Sequence, residues 1–281
     1  MPETEDREQP TARIQRTTIV DPAARLAADV RAGHFTVVAA RARIGAGTTL
    51  GNGVMVEEGC RIGANCAIGH HVVLHAGVIL GDGCTVHDGA VLGREPKGSV
   101  ISTHQVGGAR PPLRLGARCQ VGAQAVLYAG TILADDVLVG DLASIREGCT
   151  VGARSIVGRG TMIEYSCEIG PRVKIQTSCY VTGETTIEEG AFLGPSVTMA
   201  NDKFMDRIQL AEMRGPHIGK GVRIGTNAVL LPGIRLGDDC AIGAGAVVTR
   251  DVAPGTIVTG IPARRLKDVP DAHRYTRRTK D

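Results

Sequence analysis

The chain has 281 residues, of which 38 are glycine, but it contains only three phenylalanines, four tyrosines and no tryptophan. This composition excludes a core built from aromatic rings and favours a fold that turns often around a narrow aliphatic interior. The 32 basic and 29 acidic residues leave a net charge of +3. With so little excess charge and so few aromatic stacking platforms, we expect no nucleic-acid partner.

The N-terminal part of the chain lacks a regular pattern. Residues 1–9 are acidic and polar, without the apolar centre of a signal peptide. No apolar run approaches the roughly 18 residues that a membrane-spanning helix requires, so we expect a cytoplasmic protein without a membrane span. Aliphatic residues then recur raggedly, and residues 22–31 are compatible with a short helix. We predict an irregular N-terminal cap over residues 1–43.

From residue 44 onward, an aliphatic side chain recurs at every sixth position. The series comprises Ile44, Leu50, Val56, Ile62, Ile68, Leu74, Leu80, Val86 and Leu92, then Leu115 to Leu193 with Met199 still in phase, then Ile218, Ile224, Leu230, Leu236, Ile242 and Val248. Three short strands per 18-residue coil would place every sixth residue inside a triangular prism. The pattern predicts an all-β protein, a parallel β-helix over residues 44–250 with about ten coils.

The cysteines test this phase independently, because all eight lie two residues before an aliphatic position. They are Cys60, Cys66, Cys84, Cys119, Cys149, Cys167, Cys179 and Cys240. Alanine, serine and threonine occupy the same slot elsewhere, so we predict that each thiol is a small buried side chain. Side chains stacked one coil apart point in parallel, which is poor disulfide geometry. We therefore expect eight reduced thiols.

Two insertions interrupt the repeat, at residues 93–114 and 200–217. Counting faces in rotation places Leu92 and Met199, which precede the two loops, on the same face of the prism. Insertions in stacked repeats collect on one side, so we expect both loops to leave one corner and to border the functional site. After Val248 the period ends, and residues 251–281 are predicted to form a basic tail, helical in part, that covers the open end.

Several segments resemble nucleotide-sugar N-acyltransferases of the hexapeptide-repeat family. They are GREPKG at Gly93, PPLRLG at Pro111, GDLASIREGCTVG at Gly140, KIQTSCYVTGETTIEEGAFLGPSVTMANDKFMDR at Lys174, and AVVTRDVAPGTIVTGIPAR at Ala246. The resemblance implies left-handed winding and a homotrimer. It also implies transfer of an acyl group, with acetyl favoured, from acyl-CoA to an amine of a nucleotide-linked amino sugar. CoA would lie between neighbouring subunits, and no metal is expected.

Acidic side chains are the main candidates for catalysis. Asp141 and Glu147 each follow an aliphatic repeat position by two residues, so we expect both to point outward on adjacent faces of one coil. An outward carboxylate beside a sugar amine can hold the ammonium group and accept its proton. His104, in the first loop, is a further candidate base or sugar contact. The leaving thiolate is an alternative proton acceptor.

The candidate binding residues fall into three groups. Arg146 and Arg159 are predicted to contact a substrate phosphate or the acids. The second loop supplies candidate substrate-binding residues, which are Asn201, Asp202, Lys203 and Phe204. For CoA, we expect Arg264 and Arg265 near the phosphates and a small-residue corner along the pantetheine arm, formed by Gly243, Ala244 and Gly245.

Two other functions remain open from the sequence. His70 and His75 lie five residues apart, and His34 precedes His70 by two full coils. This spacing resembles gamma-class carbonic anhydrases, in which three histidines bind zinc across a subunit interface. The flanking arginine and aspartate motifs of that family are missing. A non-catalytic scaffold, in which the prism serves only for assembly, is the third alternative.

Overall fold

The computed structural model describes residues 14–99, 106–208 and 213–275. Over these residues the chain winds through three sheets of 12, 11 and 13 strands, which form the faces of a triangular prism. Strands of neighbouring coils pair in parallel and in register, as Val73 pairs with Val91. The all-β prediction and the parallel β-helix are confirmed.

The strands follow one another in strict rotation around the three faces. Sheet 1 contains β1 (Ile19–Val20), β4 (Val37–Val38), β7 (Met55–Val56), β10 (Val73–Leu74), β13 (Val91–Arg94), β16 (Val126–Tyr128), β19 (Ser144–Ile145), β22 (Met162–Ile163), β25 (Tyr180–Val181), β28 (Thr198–Met199), β31 (Val229–Leu230) and β34 (Val247–Val248). Sheet 2 contains β2 (Arg25–Leu26), β5 (Arg43–Ile44), β8 (Arg61–Ile62), β11 (Ile79–Leu80), β14 (Arg114–Leu115), β17 (Ile132–Leu133), β20 (Thr150–Val151), β23 (Glu168–Ile169), β26 (Thr186–Ile187), β29 (His217–Ile218) and β32 (Arg235–Leu236). Sheet 3 contains β3 (Arg31–Ala32), β6 (Thr49–Leu50), β9 (Ala67–Ile68), β12 (Thr85–Val86), β15 (Gln120–Val121), β18 (Leu138–Val139), β21 (Ile156–Val157), β24 (Lys174–Ile175), β27 (Phe192–Leu193), β30 (Arg223–Ile224), β33 (Ala241–Ile242), β35 (Thr256–Thr259) and β36 (Arg264–Asp268).

Each two-residue strand sends one side chain outward and the next into the prism. In β5, for example, Arg43 is exposed and Ile44 is buried. The turns bring neighbouring coils very close, and a Cβ on Gly45 would lie 2.6 Å from the backbone nitrogen of Ala64. Glycine at this position therefore lets the coils stack at the strand spacing of about 4.8 Å.

Aspartates at the turns tie each coil to the one before it. The carboxylates of Asp82, Asp88, Asp135, Asp141 and Asp238 each accept a hydrogen bond, at 2.7–3.0 Å, from a backbone N–H of the preceding coil. These bonds satisfy turn amides that no strand partner reaches. The hydrogen bond to the turn amide therefore accounts for an aspartate at such a position without any role in catalysis or binding.

The eight cysteines are all buried and unbridged, as the repeat phase predicts. Burial raises the pKa of the Cys60 thiol to about 11 and that of Cys240 to about 12. These thiols are protonated core side chains and not nucleophiles.

The structure corrects both ends of the predicted solenoid. Strands β1 to β4 lie inside the segment predicted as an irregular cap, and residues 22–31 contain β2 and not a helix. The turns there tolerate Pro22 and polar residues, so the coil forms even where the aliphatic pattern is weak. The prediction of about ten coils was therefore too low. Residues 1–13 of the predicted cap lie outside the described residues.

The C-terminal tail returns to sheet 3 instead of forming a substantial helix. Strand β36 pairs antiparallel with β35, and a short 3-10 helix follows at Asp271–His273. Val252 and Val258 pack against the core at this end, so the tail contributes to covering it. No helix in the described part of the chain is long and apolar enough to cross a membrane.

Candidate functional site

Both insertions leave the prism at the same corner, as predicted. The first follows β13 and the second follows β28, both in sheet 1, and each is followed by a strand of sheet 2. The corner between sheets 1 and 2 is therefore the place where the regular turns are replaced by long loops.

A polar cluster occupies this corner, centred on Arg146. The Arg146 guanidinium donates two hydrogen bonds to the Glu147 carboxylate, at 2.9 and 3.0 Å, and a third to Oε2 of Glu164 at 3.2 Å. We refer to these residues, together with Arg94, Tyr128, Tyr165 and Asn201, as the Arg146 cluster. They span six consecutive coils along one corner of the prism, from β13 to β28.

Aromatic rings flank the central arginine on both sides. The Arg146 guanidinium carbon lies 5.9 Å from the ring centre of Tyr128 and 5.8 Å from that of Tyr165. Arg94, at the start of the first loop, lies 5.6 Å from the Tyr128 ring. Stacking between rings fixes the plane of the Arg146 guanidinium and limits its hydration.

The second loop contributes directly to the cluster. The amide nitrogen of Asn201 lies 3.4 Å from the Tyr165 hydroxyl and 3.4 Å from the carbonyl oxygen of Gly183. The Tyr165 hydroxyl also reaches Sδ of Met213 at 3.7 Å. The Tyr165 ring lies so close over Gly183 that a Cβ there would fall 2.7 Å from it. The absence of a side chain at Gly183 therefore makes room for the ring.

The two carboxylates of the cluster differ in solvent exposure. The Glu147 side chain is 1% exposed and that of Glu164 is 22% exposed. Burial acts to lower the pKa of Arg146, but the hydrogen bonds and charges of Glu147 and Glu164 outweigh it and raise that pKa. Burial raises the pKa of the Tyr165 hydroxyl, which keeps it a neutral donor. The site thus presents the partly exposed carboxylate of Glu164, the guanidinium of Arg146 held by two carboxylates, and the neutral hydroxyl of Tyr165.

The structure corrects the predicted position of Glu147. The sequence placed it outward like Asp141, but its side chain folds back under Arg146 and is buried. Asp141 is exposed and lies at a different corner, between sheets 3 and 1, where it accepts the N–H of Ala123. Within one chain, these two carboxylates do not share a site. His104 lies outside the described residues.

Asp141 and Arg159 do come together, in a shallow concavity of about 320 Å³ at their own corner. The remaining predicted residues are spread over the molecule. Asp202 accepts the backbone N–H groups of Phe204 and Asp206, which lower its pKa, so its carboxylate shapes its own loop. Lys203 and Phe204 are exposed on that loop.

The predicted CoA-binding residues lie toward the C-terminal end of the prism. Gly243, Ala244 and Gly245 form a turn between sheets 3 and 1, where Thr259 closely approaches Gly243. Arg264 and Arg265 border a concavity of about 340 Å³. Arg265 pairs with Asp268 at 2.9 Å.

The three histidines of the zinc alternative are not brought together within one chain. His34 and His70 stack two coils apart, about 10 Å by strand spacing, and each has a local hydrogen bond, to Thr17 and to the Asn52 amide. His75 lies at another corner, beside Glu57 at 3.1 Å. Among the described residues, no group of three histidine, cysteine or acidic side chains is arranged to hold a metal ion.

Sequence reasoning missed Arg94, Tyr128, Glu164 and Tyr165. A signal for most of them was present, because Tyr128, Arg146 and Glu164 are spaced by 18 residues, as are Glu147, Tyr165, Gly183 and Asn201. Residues one coil apart stack on each other, so polar residues recurring at this interval predict a polar column.

Comparison with known proteins matches the repeats and not the whole chain. Residues 59–94 and 215–250 match the family described as bacterial transferase hexapeptide (six repeats). Residues 112–140 match the hexapeptide repeat of succinyl-transferase. With three parallel faces and an 18-residue coil, these repeats define a left-handed parallel β-helix.

The curated relatives are acetyltransferases that share short segments with this chain. Galactoside O-acetyltransferase of Escherichia coli (strain K12) is 38% identical over 58 residues, which are 21% of this chain and 29% of that protein. A 2,3,4,5-tetrahydropyridine-2,6-dicarboxylate N-acetyltransferase of Staphylococcus aureus (strain bovine RF122 / ET3-1) is 48% identical over 50 residues, 18% of this chain and 21% of that protein. The matched segments span less than half the length of these relatives.

Among solved structures, UDP-N-acetylglucosamine O-acyltransferase from Moraxella catarrhalis is 17% identical, with a TM-score of 0.41. The match covers 95% of this chain and 77% of that one. The matched repeats are thus of the hexapeptide type found in bacterial transferases, and they cover about a third of this chain.

Proposed function

We propose that this chain is an acyl-CoA-dependent N-acyltransferase, with acetyl-CoA as the favoured donor, that acylates an amine on a nucleotide-linked amino sugar. The observation that carries the proposal is the Arg146 cluster, because it sets an accessible carboxylate beside a fixed cation at the corner where both loops leave. The acetyltransferase relatives support the class of donor.

Glu164 is the general base in this proposal, in place of Glu147. A base must be reachable by the substrate amine, and the Glu164 side chain is partly exposed whereas that of Glu147 is buried. The amine nitrogen attacks the thioester carbonyl carbon, the C–N bond forms, and the C–S bond breaks to release CoA. The amine proton passes to Glu164, which returns it to the leaving thiolate, or it passes to the thiolate directly, so the products are an amide and CoA thiol.

Arg146 positions Glu164 and does not take part in the proton transfer. Glu147 holds two of its nitrogen atoms, which leaves Nη1 for Glu164. The oxyanion that forms at the thioester carbonyl needs a hydrogen-bond donor. The Tyr165 hydroxyl and the side-chain amide of Asn201, which lie 3.4 Å apart, are the candidate donors in the cluster.

The loops and the C-terminal turn supply the proposed binding groups. Lys203 and Phe204, exposed on the second loop, would contact the sugar or its nucleotide. The turn at Gly243–Gly245 would allow the pantetheine arm to approach, as its small residues present little obstruction. Asp141 and Arg159 would line a substrate contact at the neighbouring corner, in a separate concavity.

A homotrimer in the cytoplasm completes the proposal. Outward positions of sheet 1 are largely apolar, and Met55 and Met162 are 37% and 50% exposed in the single chain. Burying such a face stabilises assembly by about 25 cal/mol per Å². Light scattering should give three times the chain mass, and an active monomer would contradict the assembly.

The test is a thiol-release assay with acetyl-CoA and a panel of nucleotide-linked amino sugars. With an accepted sugar, Glu164→Gln should reduce turnover by about 10²–10⁴-fold if Glu164 is the base. Glu168→Gln is the matched control, because Glu168 is an exposed acid of the same coil on sheet 2. Equal rates for the two variants would refute the assignment of Glu164, and no release with any amino sugar would refute the proposed activity.

Asp141→Asn serves as a second arm, with Asp135→Asn as its control. The carboxylate of each aspartate accepts a hydrogen bond from a backbone N–H in a turn of the preceding coil. Both variants therefore alter the same kind of structural hydrogen bond. A turnover loss confined to Asp141→Asn would give this residue a role in the reaction, and equal effects would leave it a turn residue.

A further inference from the structure

A third concavity, of about 690 Å³, lies at the corner between sheets 2 and 3, away from the Arg146 cluster. Its polar and aromatic lining consists of Arg154, Arg172, Lys174, Phe192, Arg223 and Tyr275. We call these residues the Tyr275 pocket. Its volume lies in the range of small-molecule sites.

The lining is organised as two columns. Lys174, Phe192 and Arg223 are outward residues of β24, β27 and β30 and pair in register. Arg172 lies in the turn before β24, and Arg154 lies one coil earlier, in the turn before β21. Four cations are thereby held within a few strand spacings of about 4.8 Å. Stacked like charges repel one another, so the arrangement favours a bound anion.

The contacts of three of these cations within the described residues differ. Arg172 pairs with Glu189, and its Nε donates to the Tyr275 hydroxyl at 3.0 Å. Arg223 donates to the carbonyl oxygens of Gly190 and Val222 at 2.6 and 3.1 Å. Lys174 has no hydrogen-bond or ion-pair partner among the residues that the structure describes.

The tail of the chain is built into this pocket. The Tyr275 ring rests against Gly190 and Gly221, where any Cβ would overlap it. The Tyr275 amide donates to Asp239 at 2.7 Å, and its ring lies 5.6 Å from the Arg223 guanidinium carbon. The tail thus crosses two coils and places an aromatic ring beside the cations.

Phe192 gives the pocket a second ring. The chain has only three phenylalanines and four tyrosines, and one of each lines this concavity. Phe192 lies between Lys174 and Arg223 in the same column, so a flat apolar platform is bordered by charge on both sides. Such a pairing suits a ligand with an aromatic base and phosphates.

We propose that the Tyr275 pocket binds a nucleoside diphosphate group, with the base against Phe192 and the phosphates between Lys174, Arg172 and Arg154. CoA and a nucleotide-linked sugar both carry such a group. The identification of the ligand as CoA or as a nucleotide-linked sugar rests on the proposed function. The binding of a nucleoside diphosphate group to the pocket does not. If CoA is the source, its phosphates lie here and not at Arg264 and Arg265.

The test measures the binding of ADP, UDP and inorganic pyrophosphate to the full-length protein by calorimetry. Lys174→Gln should weaken all three ligands by about tenfold, and more at low salt, because it removes a charge near the phosphates. Phe192→Ala should weaken ADP or UDP by about tenfold and leave pyrophosphate unchanged, because only the nucleotides carry a base. The matched control is Arg43→Gln, at the same outward strand position on sheet 2.

Three outcomes are decisive. Nucleotide binding that depends on Lys174 and Phe192 supports the site, even if no acyl transfer is found, in which case only the proposed function fails. Displacement of ADP by CoA or by a UDP-sugar then identifies the source. Equal losses for Lys174→Gln and Arg43→Gln, or no binding of any of the three probes by the parent protein, would overturn the site.

Discussion

The two clusters of this prism both combine arginine with tyrosine but differ in charge balance. In the Arg146 cluster, two carboxylates share one arginine, and one of those carboxylates is buried beneath it. In the Tyr275 pocket, four cations face one paired carboxylate, Glu189, and Lys174 is exposed. The first arrangement fixes a side chain for chemistry, and the second leaves charge available for a ligand.

The difference teaches how a solenoid makes separate sites from one repeat. Residues 18 apart stack at the same corner, so a site is a column of side chains and its character depends on the order of charges along it. Alternating signs along one column give a self-satisfied network. Repeated positive charge along one column gives a surface suited to binding an anion.

Removing the central arginine of each cluster should give the largest contrast. Arg146→Met removes the guanidinium that makes two hydrogen bonds to the buried Glu147 carboxylate, which should lower the free energy of unfolding by about 3–5 kcal/mol. Arg172→Met breaks an ion pair at the surface and should cost at most about 1 kcal/mol. Chemical denaturation of the two variants measures both values.

The double variant Arg146→Met, Glu147→Leu provides the control for this prediction. It removes both charges and should recover most of the lost stability, because replacing a whole buried pair is far less costly than breaking it. If Arg146→Met and Arg172→Met lowered stability equally, the distinction between the two clusters would be wrong.

A smaller effect is expected at the glycine under Tyr275. Gly190 and Gly59 both have φ of +70°, so alanine is strained at either position. No atom lies within 4 Å of a Cβ at Gly59, whereas one at Gly190 would overlap the Tyr275 ring. Gly190→Ala should therefore cost about 1–3 kcal/mol more than Gly59→Ala.

Nucleotide affinity gives this comparison a second readout. Displacement of Tyr275 should weaken ADP binding in Gly190→Ala and leave it unchanged in Gly59→Ala. Identical unfolding midpoints and identical ADP affinities for the two variants would show that the ring does not depend on this glycine.

The repeat could be predicted because an aliphatic residue recurs at every sixth position in the coils from Ile44 to Val248. It also predicted the shared corner of the two loops, since face counting needs only the phase. The N-terminal coils escaped prediction because the inward position of β3 holds the small Ala32, which interrupts the series of larger aliphatic residues. A regular neighbour coil provides the hydrogen-bond template, so a weak sequence pattern is enough.

The site was harder to predict because side-chain direction at a turn is not fixed by the repeat. Glu147 and Asp141 have the same offset from an aliphatic residue, yet Glu147 folds beneath Arg146 and Asp141 points to solvent. The difference arises from their stacked neighbours, Tyr165 and Glu164 in one case and a turn amide in the other. Tyr275 was missed because its contacts with Gly190 join residues far apart in sequence.

The last prediction concerns the buried thiols, which belong to the core common to both clusters and affect stability only at alkaline pH. The pKa of Cys60 rises from 9.0 to about 11 and that of Cys240 to about 12, in each case mainly through burial. Above pH 9 the unfolded chain releases these protons while the folded chain keeps them. Each thiol therefore makes its full contribution to the free energy of unfolding below about pH 9. That contribution is lost between pH 9 and about 11 to 12, by up to about 1.4 kcal/mol per thiol for each pH unit.

Cys240→Ala should reduce this alkaline loss, and urea unfolding at pH 8 and pH 10.5 measures it. Ser155→Ala is the matched control, because Ser155 fills the same buried slot without a group that titrates in this range. Ser155→Ala also removes two buried hydrogen bonds, to the Gly170 carbonyl oxygen and from the Val173 N–H. The comparison therefore uses the change in stability between the two pH values and not the stability at either one. An alkaline loss that is the same in the parent, Cys240→Ala and Ser155→Ala would mean that the buried thiols do not set the high-pH limit of the fold.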